Sequence, residues 1–153
     1  MQAIKCFALN RMDILQREGK YPVPISGSPI LGVEISGTID AVGKNGNDFD
    51  MSKYNSIILT VLIVADFKVG EAVFGLMTGG AYAEYAVMES SLTMHKPEGL
   101  SFEEAAAIPE TWFTAYQALF FVGELKKGQD VLIHAGASGV GIAAIQLAKD
   151  AGA

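Results

Sequence analysis

Several things are scarce in this sequence. Its 153 residues include one cysteine, Cys6, and two histidines, His95 and His134. A lone cysteine excludes an intrachain disulfide framework and points to a reducing compartment, so a cytoplasmic setting is expected. Eleven basic residues stand against seventeen acidic ones, and the net charge of −6 argues against non-specific nucleic-acid binding. The longest apolar run, Ile57 to Ala65, is nine residues with Thr60 inside it. A membrane-spanning helix needs about 20, so no membrane partner is expected. The start, Met-Gln-Ala-Ile-Lys, lacks the apolar stretch and small-residue cleavage site of a secretory signal. Apolar residues make up 50% and charged residues 18%, which excludes a disordered tail or a collagen-like repeat.

The residues that are present change character near Leu100. Before it the chain is punctuated by glycine and favours strands. Ala3–Leu9 is β-compatible, and Asn10 to Arg17 can form a short helical turn. Pro22, Pro24, Gly27 and Pro29 then break regular structure. From Leu31 to Gly43 the chain alternates as a strand does, with Val33, Ile35, Ile39 and Ala41 on one face. Phe67–Gly75 and Gly79–Val87 each read as a turn plus a strand. One stretch interrupts this pattern. Asp48-Phe49 recurs as Asp66-Phe67, and removing residues 50–65 joins Asn45-Gly-Asn-Asp-Phe to Lys68-Val-Gly-Glu smoothly. The segment reads as an insertion, of the kind a translated intron leaves, since Ser52-Lys-Tyr54 can be encoded by a donor-like AGTAAGTAT. An added β-branched strand is the alternative.

After Leu100 the pattern is helical. Ser101 and Glu104 have capping-box spacing. Thr111–Val122 reads as a helix, and Gly123 to Asp130 as a turn. Val131–Ala135 reads as a short apolar strand, Gly136–Gly141 as a glycine loop, and Ile142–Ala151 as a helix stopped by Gly152. An α/β fold is expected, with a β domain over 1–100 and the opening βα unit of a parallel sheet over 101–153.

The glycine loop carries the chemical signal. A strand running through Gly-x-x-Gly-x-Gly into a helix lets backbone approach a diphosphate at the positive end of the helix. The dinucleotide pattern is G-x-G-x-x-G; here Gly136 and Gly141 fill its outer positions and Ser138 replaces the middle glycine. A tight strand–helix turn with no ligand explains the same residues. The side chain that selects between NAD and NADP falls about 20 positions after the loop, beyond Ala153.

Longer segments carry a resemblance. They are Phe7 to Pro22, Ile30 to Gly37, Gly79 to Tyr85, Ala105 to Tyr116 and Val131 to Ala148. In this order they resemble the medium-chain dehydrogenase/reductase superfamily, in its zinc-free quinone oxidoreductase branch, p53-inducible type. The resemblance implies a GroES-like β domain followed by the first βα unit of an incomplete Rossmann domain. It implies NADPH as cofactor and hydride transfer to a small quinone or conjugated carbonyl compound. By motif, Asn10 and Tyr21 would line the nicotinamide and substrate cleft as catalytic residues. Gly136, Ala137, Ser138, Gly139, Val140 and Gly141 would hold the cofactor phosphates, with Thr114 toward the nicotinamide. Family members of full length are expected to be homo-oligomers. No metal is expected, because the Gly-His-Glu of zinc members is Gly32-Val-Glu34 here and one cysteine cannot make a four-thiolate site. Family members run to roughly twice this length, so the chain alone is expected to bind NADPH poorly and to turn over little. An enoyl-thioester reductase is the near alternative, and a non-catalytic binding module the alternative from another class.

Each singled-out residue also has a plain structural reading. Tyr21 could be a surface tyrosine, Asn10 a turn residue, and Ser138 a small residue in a tight turn. His134 reads as structural, His95 as solvated without a partner, and Cys6 as a small core residue. Glu84 and Tyr85 should face opposite ways on a strand, and Trp112 and Phe113 should be core.

Overall fold

The computed structural model describes residues 2–22, 27–42 and 67–153. The stretch 50–65, read above as an insertion, lies outside the described residues. The chain divides into two compact units, Met1–Ala107 and Ile108–Ala153.

The first unit is built on an antiparallel sheet. Its strands are β1 (Gln2–Phe7), β2 (Glu34–Ile39), β3 (Ala72–Leu76), β4 (Tyr85–Ala86) and β5 (Thr93–His95), in the order β4-β1-β2-β3-β5. Cys6 lies opposite Ser36 and Ile4 opposite Gly37, so β1 bulges between Ile4 and Cys6. At that crossing Gly37 is required, because a Cβ would collide with the Ala3 carbonyl of the neighbouring strand. Strand β5 is too short for its sequence to announce it.

The alternation read in residues 31–43 is only half of what β2 does. Val33, Ile35 and Ile39 are buried as expected, but so are Glu34 and Ser36. The reason is helix α2 (Phe102–Ala106), which packs on β2 and covers its second face. Ser36 Oγ donates to the Phe102 carbonyl, so the inward hydroxyl is satisfied. Helix α2 has the predicted box: Glu104 N–H donates to Ser101 Oγ at 3.1 Å, and Glu104 Oε2 accepts from Ser101 N–H at 2.8 Å. The apolar core gathers Ile35, Met77, Ala81, Ala86 and Met88. Gln2, at the start of β1, is buried with its side-chain amide unpaired among the described residues.

The second unit is helical. Helix α3 (Pro109–Tyr116) starts with proline at its first turn, where the missing N–H costs nothing. It runs on as a π-helix over Gln117–Val122, where Gly123 N–H reaches back to the Ala118 carbonyl at 2.9 Å. Helix α4 (Gly139–Asp150) lies on α3 through a seam of small side chains, Ala115 against Ala143, Ala144 and Ala148, with Leu119 beside them. Trp112 packs against this cluster, whereas Phe113 is 40% exposed because it points away from the seam. Val131–Ile133, expected to be a strand, has no ladder among the described residues. A strand is defined by its neighbour, and an apolar sequence alone does not supply one. His134–Ala137 is turn, and α4 begins at Gly139, three residues before the expected Ile142. Gly152, at φ +78°, closes the helix as expected.

Candidate functional site

Two groups of residues deserve description, one in each unit. In the first, Asn10 caps helix α1 (Arg11–Arg17) in extended conformation, and Asp13 faces it in a capping-box arrangement. The Asp13 carboxylate is 4% exposed and gathers donors from three places. Asn10 N–H donates to Oδ2 at 2.8 Å, Gly32 N–H to Oδ1 at 3.1 Å, and the Tyr82 hydroxyl to Oδ2 at 2.8 Å. A buried carboxylate needs such partners, and these tie α1 to the entry of β2 and to the loop before β4. Burial raises the Tyr82 phenol well above its ordinary range, helped by its bond to Asp13 and the nearby charges of Asp13 and Glu34. Tyr82 is therefore a neutral donor at any physiological pH. Its ring lies against Gly32, where a Cβ would collide with it, and 4.7 Å from the ring of Phe7. Glu34 is 1% exposed and accepts from Asn10 Nδ2 at 2.8 Å.

Asn10 therefore has a structural task as well as its expected one: both its backbone N–H and its amide nitrogen are anchored to buried carboxylates. Tyr21 lies at the mouth of a loop and is 41% exposed. Sequence reasoning missed Asp13, Glu34 and Tyr82. The spacing Asn10-x-x-Asp13 was the available signal, since it is that of a capping pair.

In the second unit the glycine turn leads into α4. Ser138 is its N-cap, with Oγ accepting from Gly141 N–H at 3.0 Å, and Ile142 N–H donates to the Ser138 carbonyl at 2.8 Å. The N–H groups of Gly139 and Val140 belong to the first helical turn and have no intrahelical acceptor. Ala137, Ser138, Gly139 and Val140 are exposed, Gly136 is half-buried and Gly141 is buried. Ala135 has φ +53°, a left-handed conformation in a residue that is not glycine. That reversal folds the turn back so that its carbonyl crosses Gly141, where no Cβ would fit. A Cβ on Gly139 would come within 2.8 Å of Thr111 Cγ2. Thr111, one turn before the expected Thr114, is thus the α3 residue beside the loop, while Thr114 is exposed. Two glycines are accounted for by packing, and the outer face of the turn is left open with two donors. That face fits a diphosphate, since it offers unpaired N–H groups at the positive end of a three-turn helix with no side chain over them.

The remaining singled-out residues are plainer. His95 is not partnerless: its ring stacks on Phe67 at 4.5 Å, and Nδ1 lies 3.9 Å from Glu71 Oε2. His134 is exposed. Cys6 is half-buried, and burial, then the neighbouring Glu103, raises its thiol above the usual range. Glu84 faces solvent and Tyr85 is half-buried, as their alternation predicts. No three His, Cys, Asp or Glu side chains gather in a metal-binding group among the described residues.

A GroES-like antiparallel sheet followed by a glycine turn at a helix start defines a class, the oxidoreductases that place a β domain before a nucleotide-binding domain. Residues 3–98 match the alcohol dehydrogenase GroES-like domain. The chain belongs to that family, and with it to the medium-chain dehydrogenase/reductase superfamily. It is 41% identical over 149 residues to a synaptic vesicle membrane protein VAT-1 homolog of Danio rerio, covering 97% of this chain and 27% of that protein. The quinone oxidoreductase of Coxiella burnetii superposes with a TM-score of 0.76 at 33% identity, over 99% of this chain and 44% of that one. The CurK enoyl reductase gives 0.79 at 30% identity, over 99% and 42%. A mycobacterial protein solved in complex with NADPH gives 0.74 at 30%, over 99% and 41%. The chain thus spans about a quarter of that curated relative and less than half of these solved structures. No helix among the described residues is long and apolar enough to cross a membrane.

Proposed function

We propose that these residues belong to an NADPH-dependent, zinc-independent reductase that passes hydride to quinones or related conjugated carbonyl compounds. The observation that carries this reading is the open glycine turn at the start of α4, in a family whose solved relatives include a quinone oxidoreductase and an NADPH complex. In the reading, Gly136 to Gly141 hold the cofactor diphosphate, with the N–H groups of Gly139 and Val140 as donors. Thr114 lies toward the nicotinamide, and Asn10 and Tyr21 line the side where the acceptor enters. The bound nicotinamide supplies the hydride. The protein positions the acceptor and offers hydrogen bonds to its oxygen, and a quinone suits this because it is electron-poor without a Lewis acid. Residues 1–100 are the acceptor-side domain and 101–153 the opening of the nucleotide-binding domain. The setting is cytoplasmic, which the single cysteine supports.

An enoyl-thioester reductase is the second reading, favoured by the likeness to the CurK enzyme. Two measurements test the proposal. Titrating the isotope-labelled chain with NADPH, and with pyrophosphate, should shift the backbone amide resonances of Gly139 and Val140; unmoved resonances at millimolar ligand overturn the phosphate site. Loss of nicotinamide absorbance with a 1,4-quinone supports the reductase. Loss with a trans-2-enoyl thioester alone transfers the assignment to the second reading, and no loss with either removes both.

A further inference from the structure

We infer that Glu34 is a positioning residue for Asn10: the buried carboxylate fixes which end of the Asn10 amide faces the acceptor. This rests on the role proposed for Asn10 and extends it. A side-chain amide can turn over about its last torsion at little cost, and its two ends then exchange donor for acceptor. At Asn10 that freedom is gone. Nδ2 donates to Glu34 Oε1 at 2.8 Å, and Glu34 is 1% exposed, so little water competes for the bond. A turned amide would press its oxygen against a buried carboxylate, two acceptors with no proton between them. The chemistry therefore selects one orientation.

The backbone fixes the other end of the same residue. Asn10 N–H is bound to Asp13 Oδ2 at 2.8 Å, and Asp13 is held in turn by Gly32 N–H and Tyr82. Asn10 is thus clamped from both sides by buried carboxylates that lie on different elements, α1 and β2. A carboxylate is a costly occupant for a β2 position covered by α2, where an apolar side chain would pack without desolvating a charge. Placing it against a single amide nitrogen gives that cost a purpose. One amide hydrogen is committed to Glu34, which also draws electron density toward the carbonyl end and strengthens it as an acceptor. An acceptor with a set direction is what a reductase needs to hold a hydroxyl or carboxamide hydrogen beside the reacting ring.

The test has an arm that needs no turnover. In the isotope-labelled chain, the Asn10 side-chain amide should show one proton displaced downfield and slow to exchange. Glu34→Gln, which keeps the shape and removes the charge, should move that proton back upfield. An Asn10 amide indistinguishable between the parent chain and Glu34→Gln overturns the inference, whatever the protein catalyses. The second arm is a double-mutant cycle in the quinone assay. Glu34→Gln should lower kcat about ten-fold or more with the KM for NADPH nearly unchanged, as expected for loss of a charge-assisted bond. In an Asn10→Ala background the same change should cost less than two-fold. Equal losses in both backgrounds would show that Glu34 acts independently of Asn10 and reject the inference. If the parent protein reduces no quinone, the reductase reading fails on its own and the resonance arm decides the clamp.

Discussion

The two units handle their apolar side chains in opposite ways. In the first, both faces of β2 are covered, and even its polar side chains Glu34 and Ser36 are buried and bonded. In the second, Phe121 is 72% exposed, Val122 76% and Leu132 82%, and an apolar groove of about 510 Å³ is lined by Leu119, Ile133, Val140 and Ala144. A sheet with five strands satisfies itself sideways and leaves its faces to be covered. A single extended segment beside two helices has nothing to pair with, and its apolar residues stay on the surface. Local sequence quality is equal in the two, since both have well-capped helices. Neighbours make the difference.

The comparison can be broken at several points. Ile35→Ala should have the largest effect, about 2–5 kcal/mol, because a fully buried side chain of the first unit is lost with little room to collapse. Urea denaturation would measure it, and a cost under about 1 kcal/mol would mean that this core is loose. Tyr82→Phe removes one donor from buried Asp13 and should cost about 1–3 kcal/mol, with faster amide exchange at Gly32. Ser101→Ala and Ser138→Ala form a matched pair, one cap in each unit, and each should cost about 1 kcal/mol. A much greater cost at Ser138 would show the second unit to be the more fragile. Ala135→Gly should stabilise by about 0.5–1 kcal/mol, since it relieves a left-handed alanine, and thermal melting would report it. Leu132→Lys should change stability by less than about 0.5 kcal/mol while raising solubility, because the leucine is already in water.

Punctuation was the legible part of the fold. Ser101 and Glu104 announced α2, Gly152 the end of α4, and the prolines from 22 to 29 the break after α1. These signals act within a few residues and need no tertiary partner. What depended on neighbours was read less well. Val131–Ile133 has the composition of a strand but no ladder, and β5 is three residues long. The outward positions of β2 turned out to be covered because α2, about 65 residues later, lies on them. The site followed the same division. The turn from Gly136 to Gly141 stood out through glycine spacing, whereas Asp13, Glu34 and Tyr82 are unremarkable in sequence and converge only through the crossing of α1, β2 and the loop before β4. His95 was misread for that reason too, its partners Phe67 and Glu71 lying more than twenty positions away.

The wide winding from Gln117 to Val122 has a consequence for how this chain tolerates changes in length. A π turn holds one residue more than the α pitch requires. Deleting a single residue there would let the helix rewind to ordinary pitch, turning Phe121 and Val122 by about 100° while Ala115 kept its place against α4. The same deletion a few residues earlier would shift Ala115 out of the alanine seam. The molecule therefore keeps its slack beside, and not within, the contact that joins its two longest helices.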